Sequence, residues 1–298
     1  MTGGAGNGLV VGAHGRHVIV ESADGVRRLC HLRGKKTECV VGDHVRWQPA
    51  GDEGVVDRVE PRRNLLFRQD EWRSKSFAAN LDQLLVLVAA EPMYAETQLT
   101  RALIAARQAD IPAFVVLNKI DLPQAASARE RLAPYRAMGI EVIELTLKGD
   151  PEAARLLLTP RFEGRSTLVL GPSGMGKSTL INLMVPAAAA QVGEISTALN
   201  TGRHTTTTTT WYWLGEDRKT ALLDSPGFQN FGLRQVAPAD LGPLMPDIAQ
   251  HTDCRFYNCT HLHEPGCGVR AALERGEISA SRYRIYQELY AELSATKW

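Results

Sequence analysis

A phosphate-binding loop is the most specific chemical pattern in this 298-residue sequence. Residues 171–178, Gly-Pro-Ser-Gly-Met-Gly-Lys-Ser, fit G-x-x-x-x-G-K-[ST] and follow the apolar run Ser166–Leu170. In such loops backbone N–H groups surround the phosphates, the lysine contacts the terminal oxygens and the serine hydroxyl binds magnesium. A purely structural glycine turn is the alternative. We expect a nucleotide to contact these residues: Gly171, Pro172, Ser173, Gly174, Met175, Gly176, Lys177, Ser178 and Thr179.

A second motif on the phosphate side, Asp224-Ser-Pro-Gly227, follows the apolar run Ala221–Leu223. Its aspartate therefore lies at the carboxyl end of a predicted strand, where it can hold magnesium through water. The Gly227 N–H can contact the terminal phosphate. The alternative is a common turn, which the upstream phosphate loop disfavours.

A base-selecting motif, Asn118-Lys119-Ile120-Asp121, ends the apolar run Ala113–Leu117. The Asp121 carboxylate can accept the N1–H and the 2-amino group of guanine, a pair of donors that adenine does not offer. Leaving a carboxylate unpaired against adenine is costly, which makes the selection sharp. A helix-cap asparagine beside solvated charges is the alternative. Because this motif precedes the phosphate loop, the reverse of most GTPases, the order predicts a circularly permuted domain that binds guanine through Asn118, Lys119 and Asp121.

A compact set of soft metal ligands lies near the C-terminus: Cys254, Cys259, His261 and Cys267. Three thiolates and one imidazole suit tetrahedral zinc, and four protein ligands predict a closed structural site. His263 competes with His261, which we favour because Cys-x-His is a tight chelating pair. Unrelated buried thiols are the alternative. Cys30 and Cys39 lack metal-ligand spacing, and we expect them to be unreactive.

Three regions must position these motifs. Residues 1–70 contain short β-rich runs between glycine and acidic turns, which predicts a five-stranded barrel of oligonucleotide-binding type. Residues 71–236 alternate apolar runs with helices, as in a doubly wound α/β sheet. Residues 237–298 combine the metal ligands with a helical tail.

A basic run in the predicted barrel has no intervening acidic residue: Arg27, Arg28, Arg33, Lys35 and Lys36. It either binds RNA phosphates or is an ordinary solvated surface. The formal net charge of the whole chain is only +1, which excludes binding of nucleic acid through a global positive field.

The overall composition, 44% hydrophobic and 22% charged, is that of a soluble globular protein. We find no secretory signal and no apolar run of membrane-spanning length. Five cysteines, an odd number, do not indicate a disulfide framework. We therefore expect a cytoplasmic monomer without membrane contact.

Together these motifs resemble the RsgA (YjeQ) family, the ribosome small-subunit-dependent GTPases of bacteria. The resemblance covers nearly the whole chain. It rests, in this order, on V-G-D-x-V-x-W (Val41–Trp47), A-A-N-x-D-Q (Ala78–Gln83), N-K-x-D, G-P-S-G-x-G-K-S, G-R-H-T-T-T (Gly202–Thr207), D-S-P-G-F and E-P-G-C (Glu264–Cys267). It implies a circularly permuted P-loop GTPase domain with an N-terminal OB-fold barrel and a C-terminal zinc-binding, mostly helical domain.

The resemblance also implies a late-stage factor in biogenesis of the 30S ribosomal subunit. Such a factor hydrolyses GTP to GDP and phosphate, is stimulated by the small subunit, contacts 16S rRNA, and uses one structural Zn²⁺ and Mg²⁺ with GTP. Two other classes are weighed against it. Intact Lys177, Ser178 and Asp224 argue against an RNA-binding assembly module with a vestigial nucleotide site, and Asp121 argues against an ATP-using phosphotransferase.

The resemblance assigns Gly202–Thr207 to the first switch, where Thr205 or Thr206 would join Ser178 and Asp224 around magnesium. A β-branched strand is the alternative for the threonine run.

Phe228 occupies the place of the water-orienting glutamine of Ras-like enzymes, and a phenyl ring cannot hydrogen-bond to water. We therefore predict that His204 organises the attack, with Lys177 as the second catalytic residue. One departure from the family is Thr146-Leu147, which replaces a pair of small residues in the loop that closes over guanine.

Overall fold

The structure is a computed structural model that describes residues 6–14, 16–33, 38–69, 74–186, 188, 209–225 and 233–295. Several predicted residues lie outside the described residues: His204, Thr205, Thr206, Gly227, Phe228, Lys35 and Lys36. Within the described ranges, helices that combine the length and apolar character needed to cross a bilayer are absent.

The N-terminal strands close into a barrel, as the sequence predicts. Their bounds are β1 Gly6–His14, β2 His17–Ser22, β3 Arg27–Leu32, β4 His44–Ala50 and β5 Glu53–Val59. Strand β1 pairs antiparallel with both β2 and β4, and β5 joins β3 to β4, which closes the five strands. Alternate side chains of β4 and β5 point inward, as a barrel with a solvated outer surface requires.

The interior of the barrel contains two of the five cysteines. Cys30 and Cys39 pack in an apolar cluster with Trp47 and valines from the surrounding strands. Burial raises the pKa of Cys30 to about 11 and raises the pKa of Cys39 as well. Because the thiolate is the reactive form of cysteine, these thiols are chemically quiet near neutral pH.

A mostly parallel set of strands follows the barrel in the chain and is joined to it where Thr210 pairs with Gly12 of β1. A hairpin of β6 Leu65–Gln69 and β7 Ser74–Ala79 comes first in the chain. The strands of the sheet itself are β8 Gln83–Ala89, β9 Ala113–Asn118, β10 Val142–Glu144, β11 Ser166–Leu170, β12 Thr210–Trp213 and β13 Ala221–Asp224. Their spatial order is β10-β9-β8-β11-β13-β12, and only β12 runs antiparallel. All residues of β8 and β11 are buried, which is expected where helices cover both faces of a sheet.

Crossover helices connect the parallel strands. Their bounds are α1 Glu96–Gln108, α2 Ala125–Ala137, α3 Pro151–Phe162 and α4 Lys177–Met184. The sequence predicts the bounds of α1, α2 and α4 to within a residue. The structure also contains α3 and the hairpin β6–β7, which the sequence analysis does not predict. Helix α3 carries a local start signal, because Asp150 accepts a hydrogen bond from the Ala153 N–H at 3.0 Å and Pro151 follows at the first helical position.

The C-terminal region is helical around the cysteine-rich loop. It contains a 3₁₀ turn, Pro238–Asp240, and the helices α5 Leu241–Leu244, α6 Pro246–Ala249, α7 Gly268–Glu274 and α8 Ala280–Ala295. Helix α8 packs beside α1 of the sheet region. The division into residues 1–70, 71–236 and 237–298 stays a prediction.

Candidate nucleotide and metal sites

The phosphate loop leaves β11 and enters α4 through glycines whose conformations other residues rarely adopt. Gly174 has φ +83° and Gly176, which caps α4, has φ +103°. A Cβ on Gly171 would lie 2.7 Å from the Leu87 carbonyl oxygen, and one on Gly176 would lie 2.4 Å from the amide nitrogen of Asn118. The glycines therefore provide both the turn and the space next to the base motif.

One cavity of about 550 Å³ joins the two predicted nucleotide motifs. It is lined by Asn118, Lys119, Asp121, Leu122, Thr146, Lys148, Gly171, Pro172, Ser173, Gly174, Gly176, Lys177, Ser178 and Thr179. Of the predicted loop residues, Met175 is the exception, because its side chain is buried beneath the loop. A cavity of this size is within the range of small-molecule and cofactor sites.

Asn118 links the base motif to the two segments around it. Its amide nitrogen donates to the Met175 carbonyl oxygen at 2.8 Å, and its amide oxygen accepts from the Leu147 N–H at 3.0 Å. The second bond uses the backbone N–H of Leu147, which belongs to the Thr146-Leu147 pair that differs from the small residues of the family. The altered side chains therefore leave this connection between the closing loop and the base motif intact.

Lys119 spans the same junction with its ammonium group. Its Nζ donates to the Gly174 carbonyl oxygen at 2.9 Å and to the Glu91 carbonyl oxygen at 2.6 Å. This arrangement ties the end of β9 to the phosphate loop and leaves Asp121, which is exposed, as the carboxylate at the cavity. A carboxylate held there can accept two parallel N–H donors.

Lys177, which lines the cavity at the phosphate loop, contacts a carboxylate next to it. Lys177 Nζ lies 2.6 Å from an Asp224 carboxylate oxygen and 2.7 Å from the Ser225 carbonyl oxygen. Asp224 ends β13, directly beside Val169 of β11, so the parallel pairing brings the two motifs together. Lys177 suits phosphate oxygens, and Asp224 with the Ser178 hydroxyl suits a hard divalent cation.

The four predicted metal ligands converge. The Cys254 and Cys267 sulfurs are 3.9 Å apart, each lies 3.5 Å from His261 Nδ1, and all four ligand atoms, including Cys259 Sγ, lie within 4.8 Å of one another. A zinc tetrahedron has S···S edges of about 3.8 Å and S···N edges of about 3.5 Å. The set fits zinc, and His263 is exposed outside it.

Titration chemistry in this cluster also fits a metal. Burial lowers the pKa of His261, which favours the neutral imidazole that binds metals. Burial raises the pKa of Cys259 to about 12, so near neutral pH its thiolate requires a neighbouring cation.

Glu264 fixes the backbone of the metal loop. Its carboxylate accepts from the Thr260 N–H and hydroxyl at 2.9 and 2.6 Å, and from the N–H groups of Leu262 and His263 at 3.2 and 3.1 Å. These hydrogen bonds, led by that of the Thr260 hydroxyl, lower the pKa of Glu264 to about 2. Tyr283 also holds the loop, by donating to the His261 carbonyl oxygen at 2.7 Å.

Comparison with known proteins decides the family. A model of the RsgA GTPase family matches residues 59–234. The chain belongs to the RsgA GTPase family. The small ribosomal subunit biogenesis GTPase RsgA of Variovorax paradoxus is 59% identical over 98% of this chain and 94% of that protein. Its namesake in Bordetella pertussis is 52% identical over 100% of this chain and 99% of that protein.

Solved structures agree with the assignment to the RsgA family. YjeQ from Thermotoga maritima superposes with a TM-score of 0.74 at 28% identity, over 98% of this chain and 99% of that one. YloQ, a circularly permuted GTPase, superposes with a TM-score of 0.71 at 26% identity, over 99% and 96%. The permuted GTPase fold with its N-terminal barrel and C-terminal Cys/His cluster is thereby confirmed.

Sequence reasoning missed several contributors to the sites of this RsgA-family chain. Leu122 and Lys148 line the cavity, and the Glu91 carbonyl anchors Lys119. Lys148 and Leu122 each follow closely on a predicted motif, which is a usable signal. Glu91 has no comparable signal, because a backbone carbonyl can be supplied by any residue type.

Proposed function

We propose that this chain hydrolyses GTP to GDP and phosphate and acts late in biogenesis of the 30S ribosomal subunit, which stimulates its turnover. The names of its relatives, small ribosomal subunit biogenesis GTPases, support the assembly role. The GTPase assignment rests on one observation, which is that Asp121 and Lys177 line the same cavity. That juxtaposition suits a nucleotide whose guanine meets the carboxylate and whose phosphates meet the ammonium group.

The proposed mechanism is mainly one of positioning. Asn118, Lys119 and Asp121 hold the base end, and the loop N–H groups with Lys177 hold the phosphates against charge repulsion. Ser178 and Asp224 would hold Mg²⁺, which neutralises charge on the phosphate oxygens when bound. To reach the phosphates, Lys177 exchanges its present contact with Asp224 for phosphate oxygens.

The switch residues complete the proposal. His204 orients the attacking water, the Gly227 N–H contacts the terminal phosphate, and Thr205 or Thr206 joins the magnesium ligands. These residues become aligned when the subunit binds, which accounts for stimulation in the absence of a water-orienting glutamine.

The remaining parts of the proposal concern the other two regions. One Zn²⁺ held by Cys254, Cys259, His261 and Cys267 stabilises the C-terminal unit. In comparable small structural sites the free energy of zinc binding is about 10–16 kcal/mol. The barrel of residues 1–70 contacts 16S rRNA. In its basic run, Arg27 forms an ion pair with Glu21 and Arg33 forms one with Asp57. These two positive charges are therefore partly neutralised within the barrel. The protein works as a cytoplasmic monomer with units 1–70, 71–236 and 237–298.

The deciding experiment is nucleotide turnover by the purified chain with and without 30S subunits. GTP turnover that subunits raise strongly, with little turnover of ATP, is the expected result. Binding without turnover would favour an RNA-binding module, and equal use of ATP would favour a phosphotransferase.

Variants locate the reaction within the cavity. Ser178→Ala should abolish turnover because it removes a magnesium ligand. Ser127→Ala, the same change on the exposed side of α2, is the matched control and should match the unmodified protein. Full stimulated turnover by His204→Ala would remove His204 from the mechanism.

A further inference from the structure

Another cavity, of about 460 Å³, lies between the sheet region and the C-terminal helices. One side is formed by α1 and by the segment that leads from α1 into β9, and the other by residues 244–246, where α5 meets α6. A cavity of this volume is within the range of sites for small molecules, which are often found where two structural units meet.

This cavity is remote from the nucleotide site. Pro112 and Ala113 line it at the start of β9, whereas Asn118 lines the nucleotide cavity at the end of the same strand. A strand rises about 3.3 Å per residue, so these two ends of β9 are about 16 Å apart. A ligand bound between α1 and α6 therefore leaves the nucleotide site free.

The walls of the cavity are mostly apolar and come from both regions. They include Leu103, Ile111, Met138, Ile140, Leu244 and Met245. Two of these residues are methionines, whose flexible thioethers adapt to irregular shapes and make favourable contacts with aromatic rings. The walls therefore suit a ligand with a large apolar part, and an aromatic ring in particular.

Two charged side chains at the cavity, Arg107 and Asp110, have no partner in the chain. Both are exposed, and within the described ranges neither side chain forms a hydrogen bond or an ion pair. The other polar residues of the lining, Arg282 and Thr100, are already occupied. Arg282 donates to the Thr100 hydroxyl at 2.6 Å and to both carboxylate oxygens of Asp247.

The end of α1 keeps the two free charges side by side. The Asp110 N–H donates to the Arg107 carbonyl oxygen at 3.2 Å, and Asp110 adopts φ +54°. A turn of this kind holds the two Cα atoms within about 7 Å. The carbonyl groups at the end of the helix add partial negative charge beside Asp110. A ligand head that carries one anion and one cation is complementary to this pair.

We propose that this cavity binds a free α-amino acid with an aromatic side chain. The carboxylate of the ligand pairs with Arg107, its ammonium group pairs with Asp110, and its ring lies among the apolar walls. Because the ligand contacts α1 and residues 244–246 together, it stabilises the packing of the C-terminal region on the sheet region. The inference goes beyond the proposed function and does not rest on it.

The test uses three fluorinated probes that differ only in their charged head. They are para-fluorophenylalanine, para-fluorophenethylamine, which lacks the carboxylate, and para-fluorophenylpropionate, which lacks the ammonium group. Binding to the zinc-loaded full chain is followed by fluorine NMR titration. A ligand of about a dozen heavy atoms with ordinary efficiency predicts a dissociation constant on the order of 1 mM for the amino acid. Each analogue should bind about 3- to 10-fold more weakly, because it loses one charged contact near solvent.

Two charge variants assign the head groups. Arg107→Gln should abolish the advantage of the amino acid over the amine, and Asp110→Asn should abolish its advantage over the propionate. Arg284→Gln removes the same charge from an arginine that is 70% exposed on α8, and this matched control should change none of the three affinities. Because Arg107 and Asp110 are exposed, their variants should unfold at the same temperature as the unmodified chain.

A wall variant locates the ring. Leu103→Asn, a change that nearly preserves volume but makes the wall polar, should weaken the binding of all three probes. Leu156→Asn makes the same change at a leucine that is 76% exposed on α3, and it should have no effect.

Several outcomes would overturn the proposal. Equal affinity of the three probes, or an amino-acid affinity that neither charge variant changes, would deny recognition of the head group. Competition between GTP and the amino acid would place the probe in the nucleotide cavity instead. A lack of saturable binding at about ten times the expected dissociation constant would remove the site altogether. All titrations are made without ribosomal subunits, so their outcome is independent of GTP turnover and of the assembly role.

Discussion

A buried arginine joins the C-terminal region to the sheet, and its removal gives the largest single-residue effect on stability that we predict. Arg282 of α8 is 2% exposed. Its Nε and Nη2 donate to both carboxylate oxygens of Asp247, at 2.6 and 3.0 Å, and its Nη1 donates to the Thr100 hydroxyl of α1 at 2.6 Å. Its guanidinium also lies 4.9 Å from the ring centroid of Tyr135 in α2.

Arg282→Met preserves most of the side-chain volume but leaves the Asp247 carboxylate, 11% exposed, without its counter-charge. Breaking a buried ion pair from one side costs about 3–5 kcal/mol. The double variant Arg282→Met/Asp247→Leu removes both charges and should recover most of that loss, because a well-packed apolar pair is often as stable as the buried ion pair.

The measurement is the free energy of unfolding from urea denaturation of zinc-loaded protein, followed by circular dichroism. Arg284→Met is the matched control on the same helix, because Arg284 is 70% exposed and lies 3.8 Å from Glu288. Such a surface pair contributes under about 1 kcal/mol. A loss below about 1 kcal/mol for Arg282→Met, or a double variant no more stable than the single one, would refute the reasoning.

Three further predictions concern the sites. Asp121→Asn should weaken GTP binding about 100-fold and improve binding of xanthosine triphosphate, whose 2-oxo group accepts from the new amide; unchanged calorimetric preference would contradict the base assignment. Chelation of zinc should unfold the metal loop, so that its three cysteines lose the burial that raises the pKa of Cys259 and react with a disulfide reagent at pH 8. Cys30 should stay silent, because at a pKa of about 11 only about a thousandth of it is thiolate, and its alkylation should rise only as pH approaches that value. Glu264→Ala should weaken zinc binding about 10- to 100-fold in a chelator competition, whereas equal affinity would deny the carboxylate its orienting role.

The sequence predicts well the strands and the glycine loop that line the cavity, because their determinants are local. Apolar runs fix the buried strands, and the glycines of the phosphate loop are needed where they stand, since a Cβ on Gly176 would collide with Asn118. The barrel follows from alternation and turn residues in the same way. Helix α3 was missed although its Asp150-Pro151 start is itself a local signal.

Other features depend on partners that no local pattern identifies. Arg282 lies in a helical tail whose sequence does not show that Asp247 and Thr100 will meet it, because that depends on how α8 packs against α1. Likewise, Lys119 is a motif residue, but the carbonyl of Glu91 that receives it is specified by chain path alone. Long-range polar pairing therefore marks the practical limit of inference from the sequence.

The hairpin β12–β13 leads from the predicted first switch, Gly202–Thr207, to the Asp224–Gly227 motif, and the barrel contacts it directly. Gly12 of β1 pairs with Thr210 of β12, and the Trp213 indole N–H donates at 2.7 Å to Glu21, a buried carboxylate of β2 that also accepts from Arg27. Displacing the barrel would break this strand pairing and leave the Trp213 indole N–H without its acceptor, which is costly, so barrel and hairpin are expected to move together. Because β13 ends at Asp224, a partner that repositions the barrel should act on this proposed magnesium ligand, and by linkage the proposed bound nucleotide should act on the barrel.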